Sequence, residues 1–227
     1  MIEFFGPLLG VMCAGDLVEA IQFANHTGYG LTAGLESLDN REQEYWRENI
    51  FAGNLYVNRP TTGAVVLRQP FGGRGKSAFG PGIKAGGPNY LVPLMTFDQS
   101  SADRDHRNDA VDPQLVALLD AVENLGADHP DVDRQQLRQV RQAASSYAHH
   151  YAEEYSQVHD HFRLLGQDNL RRYLAVQALR IRIHSSDNLF DIFARVAAAK
   201  TAGCRMTISS DPRMSAPLVD LLDDLTV

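Results

Sequence analysis

The residues of this chain best placed to do chemistry lie in RPTTGAVVLRQPFGGRGKSAFGPGIKAGGPNY, from Arg59 to Tyr90. Glycines at 63, 72, 73, 75, 80, 82, 86 and 87 permit positive φ and close backbone approach. The stretch is too broken for a helix or a two-sided strand, which leaves a linker, a phosphate cradle or a binding surface. GGRGKSAFG has the lysine and serine of a phosphate-binding loop, but its glycines lack the G-x-x-x-x-G-K-[ST] spacing and no clear strand leads into it. A second group of polar residues is His149, His150, His159 and His161, which fall on one predicted helix, with His150 and Glu154 at the i, i+4 spacing of a helix-face metal site. The H-E-x-x-H spacing is absent and the neighbours are polar, so these histidines read as a solvated helix face and no metal is expected. Cys13, in LLGVMCAGD, reads as a buried small residue in an apolar, strand-like context, not as a nucleophile.

Composition narrows the partners. A formal net charge of -7 argues against nucleic acid, because phosphate binding needs concentrated Lys and Arg. No stretch approaches the ~20 consecutive apolar residues of a membrane span, and MIEFFGPLLGVMCAGD has no basic region ahead of its apolar residues. Neither export nor anchoring is expected. Two cysteines far apart in sequence, Cys13 and Cys204, suit a reducing compartment, and the expected location is cytoplasmic.

Around the Gly-rich stretch the elements alternate. GDLVEAIQFANHT has Leu17, Ala20, Ile21 and Ala24 at helical spacing behind an Asp16 N-cap with Glu19 three residues on. YGLTAGLES reads as a strand, DNREQEYWRENI as a second helix opened by Asp39, and AGNLYVN as a second strand. This alternation favours an α/β layer over residues 1–98. The polar run QSSADRDHRN places a linker at 99–111. Residues 112–165 predict a short amphipathic helix in PQLVALLDAVENL and one long helix from Arg134 to Leu165. Residues 166–227 then change period. RIRIH, DIFARVAAAKTAG and CRMTIS make a β-α-β unit from Ala178 to Ser209, its helix closing at Gly203, followed by a helix in APLVDLLDDLTV. The expected fold is therefore α/β, ending in a helical segment and an incomplete Rossmann-like β-α-β piece.

EFFGP at 3–7, the helix and strand that follow, NRPTTGAVVLRQPFGG and KAGGPNYL together resemble the C-terminal part of an aldehyde dehydrogenase catalytic domain, in order, from residue 1 to about 97. In detail they resemble the L-glutamate γ-semialdehyde (1-pyrroline-5-carboxylate) dehydrogenases, including that domain of the bifunctional proline utilization A enzymes. The resemblance implies an NAD-dependent oxidoreductase of proline catabolism. It implies that Glu3 hydrogen-bonds the nicotinamide ribose, that Phe5 packs near the nicotinamide, that the backbone of Gly63 and Ala64 binds the substrate α-carboxylate, and that Phe71 packs on its aliphatic part. Exposed N–H groups on a loop without bulky side chains suit that role. Taken alone, Glu3 reads as a solvated charge and Phe71 as ordinary core.

The departures shape the expectation as much. The family's nucleophilic cysteine and activating glutamate precede the E-x-F-G-P motif, and its dinucleotide-binding half is missing, so no catalytic residue is assigned in this chain and it is expected to be inactive alone. Leu67 and Ala78 stand at positions where glycine is expected. The tail from Phe162 to Pro212 resembles the extra C-terminal domain of longer proline utilization A proteins, a relic aldehyde dehydrogenase fold; the lysine that would bind the adenine ribose falls near Ser210, so no cofactor site is implied there. The expected partners are a small-molecule semialdehyde and further copies of the parent enzyme, with FAD present only if the parent also carries a proline dehydrogenase domain. The alternative is a non-catalytic structural or oligomerisation module built on the same fold.

Overall fold

The computed structural model describes residues 4, 6–79, 83–98, 111–125 and 133–211. The chain divides into two compact units, one of Met1–Gln99 with His161–Asn169 and one of Ser100–Asp160 with Leu170–Val227. No helix among the described residues is long and apolar enough to cross a membrane.

In the first unit α1 (Leu17–Asn25) begins where the Asp16 carboxylate accepts from Glu19 N at 2.8 Å, with the Glu19 side chain reaching back to Gly15 N at 2.6 Å. These contacts satisfy donors that the first helical turn leaves open. α2 (Asn40–Asn49) starts in the same way at Asp39, which accepts from Arg41 N at 2.8 Å. Their inward faces bring Ile21, Trp46 and Ile50 into one buried cluster, against which Leu17, Ala33, Leu35, Leu55 and Val57 pack. YGLTAGLES is not a single strand. β1 (Tyr29–Gly30) pairs antiparallel with β4 (Arg74–Gly75), whereas β2 (Thr32–Leu35) runs parallel to β3 (Asn54–Val57), with Thr32 opposite Asn54. The chain changes partner at Leu31, so one half meets the Gly-rich stretch and the other half the Trp46 core.

In the second unit α3 (Pro113–Leu125) matches its predicted span. α4 (Arg134–His150) buries Leu137, Val140, Ala144 and Ala148, a stripe at the i, i+3 and i+4 spacing of one helix face. β5 (Leu179–Arg182), α5 (Leu189–Thr201) and β6 (Met206–Ser209) form the predicted β-α-β unit, with β5 and β6 parallel and Leu179 opposite Met206. Phe193 and Ala197 of α5 are fully buried, and Gly203 ends the helix at φ +69° with Cys204 N donating to Ala199 O at 3.0 Å.

The long helix expected from Arg134 to Leu165 stops early. Regular α-helix ends at His150, one wide turn covers Tyr151–Tyr155, and the chain then leaves. The apolar stripe runs out at Ala148, and Ser156 and Gln157 turn their side chains onto Ala152 O, at 3.3 and 2.8 Å, in competition with the helix ladder. The four histidines therefore do not share a helix. His159 sits in an antiparallel bridge with Arg171, and the Glu154 carboxylate is held by Arg171 Nη2 at 2.7 Å and His159 Nε2 at 3.2 Å. Among the described residues, no three or more His, Cys, Asp or Glu side chains gather as a metal site would require. The helix expected in APLVDLLDDLTV lies outside the described residues.

Cys13 is not buried. Its segment pairs with no strand among the described residues, and Cys13, Leu9 and Val11 are all exposed, whereas Cys204 is half-buried against the α5 core. Under native conditions iodoacetamide should therefore alkylate Cys13 at least about fivefold faster than Cys204. Peptide mass spectrometry over a time course checks this; equal rates would show that Cys13 is covered.

Candidate functional site

The Gly-rich stretch is held onto β3 by one asparagine and one lysine. Asn54, a buried polar residue of β3, donates from Nδ2 to Pro70 O at 2.8 Å and accepts at Oδ1 from Gly72 N at 3.1 Å. Lys84 Nζ donates to Gly72 O at 3.0 Å, to Asn54 Oδ1 at 3.3 Å and to Gly53 O. Phe71 and Ala85 then exchange backbone hydrogen bonds of 3.0 and 2.8 Å. Partial burial, with the Arg74 guanidinium as a lesser cause, pulls the Lys84 ammonium down to about 8.

Gly63 and Ala64 occupy the outer part of the same stretch, and both are exposed. Gly63 takes φ +112°, a conformation that side chains disfavour. Its carbonyl accepts from Tyr56 Oη at 2.8 Å. With the Gln69 amide turned so that both of its ends find complementary partners, Nε2 donates to Gly63 O at 3.2 Å, and Oε1 accepts from Arg59 Nη1 at 2.7 Å and from Gln167 Nε2 at 3.3 Å. The Arg59 guanidinium also lies 5.5 Å from the centre of the Tyr56 ring. Among the described residues, neither Gly63 N–H nor Ala64 N–H has an acceptor. Open backbone donors on an exposed loop are groups that an anion can accept from. Phe71 sits at the base of this loop with its ring partly exposed at 38%.

The structure thus carries Gly63, Ala64 and Phe71 on one pinned loop, while Glu3 and Phe5 lie outside the described residues. Sequence reasoning missed Asn54, Tyr56, Gln69 and Lys84. The available signal was Asn54 itself, a polar residue at an inward position of a strand, which needs partners wherever it is buried.

Residues 2–97 match the model of the aldehyde dehydrogenase family. Over this segment the chain is similar to the aldehyde dehydrogenase family. The chain is 40% identical over 148 residues to the bifunctional protein PutA of Rhizobium meliloti, covering 64% of this chain and 11% of that protein. It is 46% identical over 99 residues to the 1-pyrroline-5-carboxylate dehydrogenase of Bacillus subtilis, covering 44% of this chain and 19% of that one. The solved structure of proline utilization A (PutA) from Corynebacterium freiburgense superposes with a TM-score of 0.72 at 32% identity, covering 94% of this chain and 20% of that one. The chain therefore spans between 11% and 20% of the length of these relatives, and the structural likeness continues well past residue 97.

Against the aldehyde dehydrogenase pattern, the two glycine departures behave differently. Leu67 stands at φ +62°, in the left-handed region where a leucine is strained, with its N–H donating to Gly86 O at 2.8 Å. Ala78 has no positive φ, so alanine meets no such strain. In the second unit the β5–α5 turn uses its own donors. Asn188 and Asp191 form a closed capping box at the N-terminus of α5, and Asp187 Oδ2 accepts from His184 N at 2.9 Å. The N–H groups of Phe190 and Asp191 are likewise taken, by the amide oxygens of Gln136 at 3.3 Å and Asn188 at 3.0 Å.

Leu67→Gly should stabilise the chain by about 0.5–1 kcal/mol, as the relief of left-handed strain exceeds the added freedom of the unfolded glycine. A urea midpoint checks this, and a loss of stability would show that the Leu67 side chain packs usefully. Lys84 gives a pH test. Its folded pKa of about 8 lies below the ordinary value of 10.5, so between these values the unfolded chain holds the proton and the folded chain does not. Stability contributed through this group should rise with pH across that window and be level below it. The stability difference between wild type and Lys84→Met, followed by urea unfolding from pH 7 to 10.5, should carry that slope; a flat difference would mean that Lys84 titrates normally.

Proposed function

We propose that this chain is the substrate-anchoring, C-terminal part of an NAD-dependent dehydrogenase that oxidises L-glutamate γ-semialdehyde to L-glutamate in proline catabolism, within a PutA-like protein. The observation that carries the reading is the pair of open N–H groups at Gly63 and Ala64. They suit the α-carboxylate of the semialdehyde, with the Phe71 ring against its methylenes. The net reaction takes the aldehyde and water to a carboxylate, with two electrons and one proton leaving as hydride and two further protons released to solvent. NAD supplies the hydride acceptor when bound, with Glu3 assigned to hydrogen-bond its nicotinamide ribose and Phe5 to pack near the nicotinamide. No catalytic residue is assigned in this sequence, and the chain alone is expected to be inactive.

The partners in this reading are the semialdehyde and further copies of the parent enzyme, in the cytoplasm; FAD belongs to it only where a proline dehydrogenase domain is present. A non-catalytic interaction module is the second reading, favoured by the exposure of Leu91, Leu94, Met95 and Phe97 on the first unit. Titration of the isotope-labelled chain with glutarate, a dicarboxylate of the substrate's length, separates the two. Saturable shifts of the Gly63 and Ala64 amides, together with no NAD reduction in the presence of glutamate semialdehyde, are expected. A folded chain without the amide response favours the module, and NAD reduction by the chain alone overturns the assignment of catalysis elsewhere.

A further inference from the structure

A trans peptide unit carries its C=O and the following N–H on opposite sides, and no cis peptide is present among the described residues. The Gly63 carbonyl and the Ala64 N–H belong to one such unit. Tyr56 Oη and Gln69 Nε2 draw that carbonyl toward β3 and the loop interior at 2.8 and 3.2 Å. The Ala64 N–H must therefore point the other way, to the exposed side. The unit needs such restraint, because a glycine followed by an alanine puts little steric resistance in the way of its rotation.

Gln69 does not choose its own orientation. An amide can present either its oxygen or its nitrogen to Gly63 O, and only the nitrogen can donate. Arg59 Nη1 at 2.7 Å and Gln167 Nε2 at 3.3 Å, both donors, claim the Gln69 oxygen and leave the nitrogen to face the carbonyl. Gln167 comes from His161–Asn169, the segment that returns to the first unit far along the sequence.

We infer that Tyr56 and Gln69 are positioning residues that aim the Ala64 N–H at the substrate carboxylate, with Arg59 and Gln167 fixing the amide of Gln69. The inference rests on the carboxylate-anchor reading above. Neither residue needs to touch the ligand; each acts through the Gly63–Ala64 peptide.

The test compares the full chain with Tyr56→Phe, which keeps the ring and removes only the hydroxyl, and with Gln69→Leu at a half-buried position. Glutarate affinity read at the Ala64 amide should fall about threefold in either variant and about tenfold in the double variant, as expected for loss of one and then both ordinary hydrogen bonds. The Ala64 N–H residual dipolar coupling reports the direction of that bond and should change in each variant, while the Trp46 indole signal and the unfolding midpoint of Gln69→Leu stay near wild type. A purely structural role would not move the coupling without moving the midpoint. Wild-type glutarate affinity in both variants, or an unchanged coupling, overturns the inference while leaving the anchor intact. If the wild-type chain gives no glutarate response, the anchor reading fails and this inference goes with it.

Discussion

A long loop can be ordered only if its backbone polar groups find partners, because each one buried without a partner costs about as much as a hydrogen bond is worth or more. Among the described residues between Arg59 and Tyr90 the only regular strand is the two-residue β4, so a backbone ladder supplies little. Asn54 and Lys84 meet the need instead. The asparagine offers both ends of its amide to Pro70 and Gly72, and the lysine spreads its donors over Gly53, Gly72 and Asn54 itself. These partners are neutral carbonyl and amide oxygens, so desolvation by burial outweighs them and lowers the proton affinity of the ammonium. Much of the Gly-rich loop's order follows from this knot.

The knot and the Gly63–Ala64 peptide sit at different points of the same loop. Asn54 and Lys84 fix Phe71 and Gly72 next to β3, while Tyr56, two residues further along the same strand and on the same face, reaches Gly63. The period of two along a strand is what lets β3 serve both points, because Asn54 and Tyr56 project to one side and Leu55 and Val57 to the other, into the Trp46 cluster. A strand that is part of the core thereby gives a glycine-rich loop a rigid reference. The family likeness and the open N–H pair converge on this loop.

Local chemistry was well written in the sequence. The caps at Asp16 and Asp39, the amphipathic stripe of α4 and the closing glycine at 203 each act over a few residues, so their partners are near neighbours and the pattern is readable. The misses have the opposite character. YGLTAGLES looked like one strand because alternation says nothing of which partner each half will meet. The helix after Ala148 looked continuous because scattered small and aromatic residues imitate helical spacing, while the side chains of Ser156 and Gln157 compete for the backbone. Cys13 looked buried because its neighbours are apolar, yet apolar neighbours bury a residue only when a partner surface is packed against them.

The sequence by itself determined the likeness of residues 2–97 to the aldehyde dehydrogenase family, the helices opened by Asp16 and Asp39, the span of α3, the β-α-β unit, and Gly63, Ala64 and Phe71 as candidate residues. Only the tertiary structure decided what orients them. Tyr56 and Gln69 meet on the Gly63 carbonyl, Arg59 and Gln167 meet on the Gln69 amide, and Asn54 meets Lys84 from thirty positions away in sequence. Hydrogen bonds depend on distance and angle in space, and separation along the chain carries no record of either.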